Sequence, residues 1–240
     1  KVLSISIGVF GERFAQIART YGAEVISLSF EWGQAANVEV VQESLKANPS
    51  VKAVMVTHNE TSTGVTNDLG AISKVVKEEG KLLLVDAISS MGSIALPIDE
   101  WGCDVAVTGS QKGWMVPPGL AMISMSPAAW KAYENARMPR FYWDLGKAMK
   151  SLEKGQTPWT PTVSVFFALN RTLKMMLEEG MPAVIKRHKD LADYTRKSAK
   201  SLGLTLFANE SHASNTVTAI RATNGLDSKV LNKIMREEHD

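Results

Sequence analysis

The sequence predicts an α/β protein built on a mainly parallel central sheet with helices on both faces. Three observations carry that expectation. Short, continuous apolar runs of β-type residues recur through the first 125 residues. Amphipathic helical patterns, rather than tight hairpin turns, separate them. Several runs end in polar residues, as strands do at the carboxyl edge where such sheets bind ligands.

Each element follows from local chemistry. Residues 2–7 read as a strand, with Gly8, Val9, Phe10 and Gly11 as the turn after it. Residues 12–21 read as a helix closed by Gly22, and residues 25–30 as a strand. Residues 38–47 form a helix that Asn48 and Pro49 end, since proline cannot continue it. Residues 51–57 are a strand. Asn67 and Asp68 can cap a helix running to about residue 79, with Gly80 beyond it. Residues 82–85, 104–107 and 120–125 are three further strands. Residues 127–137 look helical, and 138–150 are rich in aromatic and basic side chains. Residues 156–161 must be extended, because Pro158 and Pro161 disfavour helix there. Residues 162–179 form a long helix ending at Gly180, and 182–202 another with Gly203 after it. Residues 204–207 and 215–221 read as short strands, and 226–238 as a helix. Residues 1–180 are therefore expected to form a large domain, and 181–240 the start of a smaller α+β domain.

Composition excludes several function classes. Net charge is +2, from 27 basic and 25 acidic residues that are interspersed, so nothing calls for nucleic acid or a membrane surface. No stretch is long and apolar enough to span a bilayer. Four histidines and one cysteine leave no metal-ligand spacing, so no metal is expected. Cys103 has no partner for an internal disulfide, which fits a reducing, cytoplasmic setting. The chain opens at Lys1 already inside an apolar run and closes in a charged helical pattern. Both ends read as cut from something longer.

Two residues point to chemistry. Asp86 ends the apolar run at 82–85, and Lys112 lies 26 residues later, just past the run at 104–107. An acid at one strand end and a lysine past another can converge on one ligand. A Schiff-base lysine and a carboxylate paired with a pyridinium nitrogen are what pyridoxal 5′-phosphate (PLP) chemistry requires. Thr108, Gly109 and Ser110 are small enough to let backbone approach a phosphate, and a dry site would favour imine formation at Lys112. From spacing alone, a surface lysine and a capping aspartate stay open as alternatives. The polar run from His58 to Gly64 follows the strand at 51–57 and belongs to the same edge, although its hydroxyls suit a capped loop equally well. The run from Gly8 to Gly11 lacks dinucleotide spacing, and the residues before Lys112 are not a phosphate loop of the Walker type. Cys103 reads as a small buried apolar residue.

Four stretches, THNETSTG (57–64), LLLVDAISSMG (82–92), TGSQKGWMVPPGL (108–120) and QTPWTPTVS (156–164), together resemble class V aminotransferases of PLP fold type I. The similarity runs along the whole chain. It is greatest to the alanine–glyoxylate and serine–glyoxylate (serine–pyruvate) branch, which includes cyanobacterial proteins described as small subunits of a soluble hydrogenase. One cysteine provides no set for iron–sulfur or nickel ligation. The resemblance implies PLP as cofactor, Lys112 as its Schiff-base lysine and proton carrier, and Asp86 as partner of the pyridine nitrogen. It implies that Thr61 bonds the phenolic oxygen, Ile88 packs on a ring face and Gln111 sits beside the phosphate. It assigns Thr157 and Thr160 to the phosphate of a neighbouring subunit, hence a homodimer with shared active sites. The family's amino-terminal phosphate loop and its substrate-carboxylate arginine have no match in these residues. The implied reaction moves an amino group from alanine or serine to glyoxylate or another small 2-oxo acid. A cysteine desulfurase-like lyase, which usually has His where Gln111 stands, and an inactive PLP-fold subunit of a larger complex are the alternatives.

Overall fold

The apolar runs form a six-stranded sheet in a computed structural model that describes residues 1–222 and 227–239. The first half runs Val2–Ser6 (β1), Val9–Thr20 (α1), Val25–Ser29 (β2), Val38–Ala47 (α2) and Ala53–Thr57 (β3). A two-stranded hairpin, Asn59–Glu60 (β4) and Val65–Thr66 (β5), leads into Leu69–Glu78 (α3). Leu82–Asp86 (β6), Val105–Gly109 (β7) and Ala121–Met125 (β8) complete the sheet, in the order β2-β1-β3-β6-β7-β8. All neighbours pair parallel except β7 and β8. The sheet therefore matches the mainly parallel expectation. Its order reverses between β1 and β3, and in open α/β sheets that reversal marks the ligand crevice at the carboxyl ends.

Alternation along the strands explains the two faces. Leu3 and Ile5 of β1, Val54 and Val56 of β3, and Leu83 and Val85 of β6 are buried against Val41 and Leu45 of α2 and Leu69, Ile72 and Val76 of α3. Each such side chain contributes about 1.5–3 kcal/mol through burial. Ser4 and Ser6 point the other way, where α1 packs; a Cβ at Gly11 would lie only 2.9 Å from Ser6 Cα. Asn37, Asp68 and Ser126 cap their helices through backbone amides at 2.9–3.1 Å. Asn67, expected to share the cap, instead bridges Ala36 N–H (2.8 Å) and the Thr57 carbonyl (2.9 Å) from a buried position.

The carboxyl-terminal half is helical: Pro127–Glu134 (α4), Leu145–Leu152 (α5), Val163–Glu179 (α6), Met181–Ser201 (α7), a 3-10 turn at Glu210–His212, and Ser228–Glu238 (α8). Several expectations are corrected. The run after β1 opens α1 at Val9 rather than forming a separate turn. The stretch at 127–137 stops at Glu134, and the aromatic, basic stretch contains α5, capped by Asp144 through Gly146 N–H at 2.9 Å. Residues 204–207 and 215–221 are not strands: they pair through one bridge, Leu206 with Ile220, flanked by Phe207 N–H to the Ala219 carbonyl (2.8 Å) and Arg221 N–H to the Thr205 carbonyl (2.9 Å), a contact too short to make a ladder. The helix expected over 226–238 begins at Ser228, and residue 226 lies outside the described residues.

His58 follows β3 in a buried position, edge-on to Trp101 at 6.1 Å. Burial lowers its pKa from 6.5 to about 4, against the opposing charge of Asp68. The unfolded chain then binds the extra proton, so stability falls as pH drops from 6.5 towards 4, by on the order of 3 kcal/mol when fully developed. His58→Gln should flatten that acid limb, as urea unfolding at stepped pH will read.

Candidate active site

The carboxyl ends of β3, β6 and β7 bring the sequence-predicted residues to one edge. Thr57 pairs with Asp86, and Asp86 with Val107, across adjacent strands. Asp86 is the last residue of β6 and half-buried; its Oδ1 accepts Ile88 N–H at 2.9 Å. Burial raises its pKa above the usual carboxylate range; the Ile88 amide opposes this, and the Glu60 charge adds to it. The acid is thus short of positive charge. Ile88 presents an apolar side chain, 37% exposed.

Lys112 sits in a tightly built turn after β7. Ser110 Oγ donates to the Pro117 carbonyl (2.8 Å) and accepts Leu120 N–H (3.2 Å); Trp114 Nε1 donates to Thr108 Oγ1 (3.1 Å). Met115 N–H closes on the Lys112 carbonyl at 3.0 Å with Met115 at φ 60°, a strained conformation for a side-chain-bearing residue. A Cβ at Gly113 would meet the Met91 carbonyl at 2.5 Å and Ser93 Oγ at 2.6 Å, so only glycine lets this turn dock on the loop after Asp86. Lys112 is exposed and lines an open cavity.

That cavity, about 580 Å³, is lined by Thr61, Ser93 and Lys112 on the sheet side and by His188 and Thr195 of α7 opposite, with residues 215–218 closing one wall. Thr61 is held there by its neighbour. Glu60 is fully buried; one carboxylate oxygen accepts Phe10 and Gly11 N–H (both 3.1 Å), the other Ser62 N–H (3.1 Å) and Ser62 Oγ (2.6 Å). This satisfies the opening amides of α1, which carry positive dipole, and fixes the Thr61 loop to it.

Other expected residues fall elsewhere. Gln111 is exposed and lies over Gly109, outside the cavity lining. Thr157 and Thr160 are exposed on the loop before α6, away from Lys112's cavity. Thr157 Oγ1 donates to the Trp159 carbonyl (2.6 Å). That loop is braced by Trp159, stacked on Tyr142 at 4.8 Å and donating to its carbonyl at 2.9 Å. Glu60, His188 and the wall at 215–218 were not legible as site residues. His188 Nδ1 must donate to the Val184 carbonyl (2.8 Å), since a carbonyl only accepts. Among the described residues no group of three metal-ligating side chains converges.

The family described as "Aminotransferase class-V" matches residues 12–239. The chain belongs to that family. It is 46% identical over 237 residues to "Soluble hydrogenase, small subunit" of Synechococcus sp., covering 97% of this chain and 61% of that protein. It is 40% identical over 237 residues to serine–glyoxylate aminotransferase of Methylorubrum extorquens, covering 95% and 59%. The crystal structure of alanine–glyoxylate aminotransferase from Nostoc sp. superimposes with a TM-score of 0.92 at 29% identity, over 99% of this chain and 64% of that one. The chain therefore spans about three fifths of the length of the relatives it matches.

The family implies PLP, and the residues present fit it. An amine and a hydroxyl line one cavity, an acid lacking a cation ends the adjacent strand, and a glycine-packed turn holds the lysine loop. Asp86's raised pKa has a consequence in the cofactor-free protein. The native state holds the extra proton, so stability falls as pH rises above the carboxylate range. Asp86→Asn should raise the unfolding temperature at pH 7. The stability gain should vanish below pH 3.8, where both states are protonated, as calorimetry will read.

Proposed function

We propose that the whole protein is a PLP-dependent aminotransferase that moves an amino group from alanine or serine to glyoxylate or another small 2-oxo acid. The observation that carries this is the meeting of Lys112 and Thr61 at one cavity beside the strand end that presents Asp86. When bound, PLP supplies the electron sink for negative charge at the substrate's α-carbon. Lys112 Nζ would hold the cofactor between turnovers and would carry the proton taken from the substrate's α-carbon to the cofactor's C4′ carbon, and back again in the reverse half-reaction. Asp86 keeps the pyridine nitrogen protonated, a role suited to a carboxylate whose burial is relieved by a cation. Thr61 would donate to the cofactor's phenolic oxygen, Ile88 would pack against its ring, and Gln111 would serve its phosphate.

A homodimer completes the proposal. Phe141, Trp143 and Phe167 are 69%, 79% and 73% exposed around the loop that carries Thr157 and Thr160. So much exposed aromatic surface is the mark of a protein interface, and a second copy seated there would bring both threonines to its neighbour's phosphate. No described helix is long and apolar enough to cross a membrane, and the lone buried thiol, Cys103, suits a reducing cytoplasm. The desulfurase reading is weakened twice. Gln111 stands where that group usually has histidine, and burial pushes the Cys103 thiol up to about 11, unfit for a nucleophile. Intact Lys112, Asp86 and Thr61 weigh against a decayed subunit.

In the full-length protein, Lys112→Ala should lower alanine– or serine–glyoxylate transamination by on the order of 10³-fold or more while circular dichroism stays native. Undiminished turnover in that variant would refute the assignment.

A further inference from the structure

A closed hydrogen-bond circuit joins three walls of the Lys112 cavity from behind. Asn59 of β4 is buried and does not line the cavity. Its Nδ2 donates to Ser89 Oγ (2.9 Å) and Thr216 Oγ1 (3.0 Å), and its Oδ1 accepts from Thr66 Oγ1 (2.7 Å). Ser89 Oγ donates to the Asn59 carbonyl (2.7 Å), and Thr216 Oγ1 to the Ser89 carbonyl (3.1 Å). Each hydroxyl has one proton, and both are committed to carbonyls, so both oxygens must accept from Asn59. This fixes the amide's orientation: turned over, its oxygen would face two acceptors. Ser214 N–H adds a bond to the Gly64 carbonyl (2.8 Å), and Ser214 Oγ accepts Thr216 N–H (3.1 Å).

Two members sit beside residues with proposed roles and the third lies in the cavity wall. Thr61 lies two residues after Asn59, Ile88 immediately precedes Ser89, and Thr216 belongs to the wall at 215–218. We infer that Asn59 is a positioning residue of the site. Through Ser89 and Thr216 it locks the Thr61 loop, the Asp86–Ile88 loop and the wall at 214–218 into one unit around Lys112. The inference rests on PLP being the ligand of that cavity. A locked unit responds as a whole, so removing a second member costs little once the first is gone.

The test uses the full-length protein and PLP itself. Asn59→Ala and Thr216→Val should each weaken PLP binding by about five- to tenfold. The double variant should fall no further than the weaker single. Thr216→Ser keeps the hydroxyl and should return affinity to within about twofold of wild type. In the cofactor-free protein, hydrogen exchange at 214–218 should quicken in the Ala and Val variants but not in the Ser variant. Losses that multiply in the double variant, a Ser variant as weak as Val, or unchanged exchange would overturn the inference. If Asn59→Ala does not fold, the Thr216 pair decides alone. Wild-type protein that binds no PLP would overturn the cofactor reading, and the exchange data would then decide the lock on their own.

Discussion

Parallel pairing sets Thr57 beside Asp86 and Asp86 beside Val107, so the chain leaves β3, β6 and β7 at one edge. That register is the constraint on which the site depends. It is fixed by the core: Val54, Val56, Leu83 and Val85 are buried against α2 and α3. A one-residue slip of β6 would exchange Leu83 and Val85 for the less buried Leu82 and Leu84 and turn Asp86 to the opposite face. The arrangement of these strand ends is therefore held by apolar packing at a distance from it, and the strand-order reversal marks where the crevice lies.

The edge itself is held by buried polar groups. Glu60 binds the opening amides of α1 to the Thr61 loop, Asn67 joins Ala36 to β3, and Gly113 lets the Lys112 turn dock on the loop after Asp86. Each is either fully satisfied or sterically exclusive, so these loops are set without a ligand. This reconciles an exposed lysine with a defined position: the backbone beneath Lys112 is fixed while its amine stays open to the cavity. It also explains why Asp86 carries a cost. A half-buried acid with one local amide bond destabilises the cofactor-free protein at neutral pH, and a cation beside it offsets that cost.

The fold class was legible because the apolar runs and helical patterns alternate. The motifs that single out Lys112 and Thr61 fall on one cavity, and Asp86 stands at the end of the strand next to β7. Other features were hidden by chain separation. The lock between Asn59 and Thr216 spans 157 residues with no periodicity to announce it. Glu60 looked like one more loop acid, since nothing local says that its partners are the amides of Phe10 and Gly11. The helix α5 was masked by Gly146 and by aromatic neighbours, and depends on Asp144, whose Oδ1 accepts from both Gly146 N–H and the Tyr133 hydroxyl (2.5 Å). Residues 204–207 and 215–221 have strand-like composition but meet only at the single Leu206–Ile220 bridge.

The central claim is that Lys112 is the residue that holds PLP. Full-length protein incubated with PLP, reduced with borohydride and digested should yield one pyridoxyl-modified peptide, with the adduct on Lys112. An adduct on a different lysine, or none on a folded full-length dimer, would contradict the account.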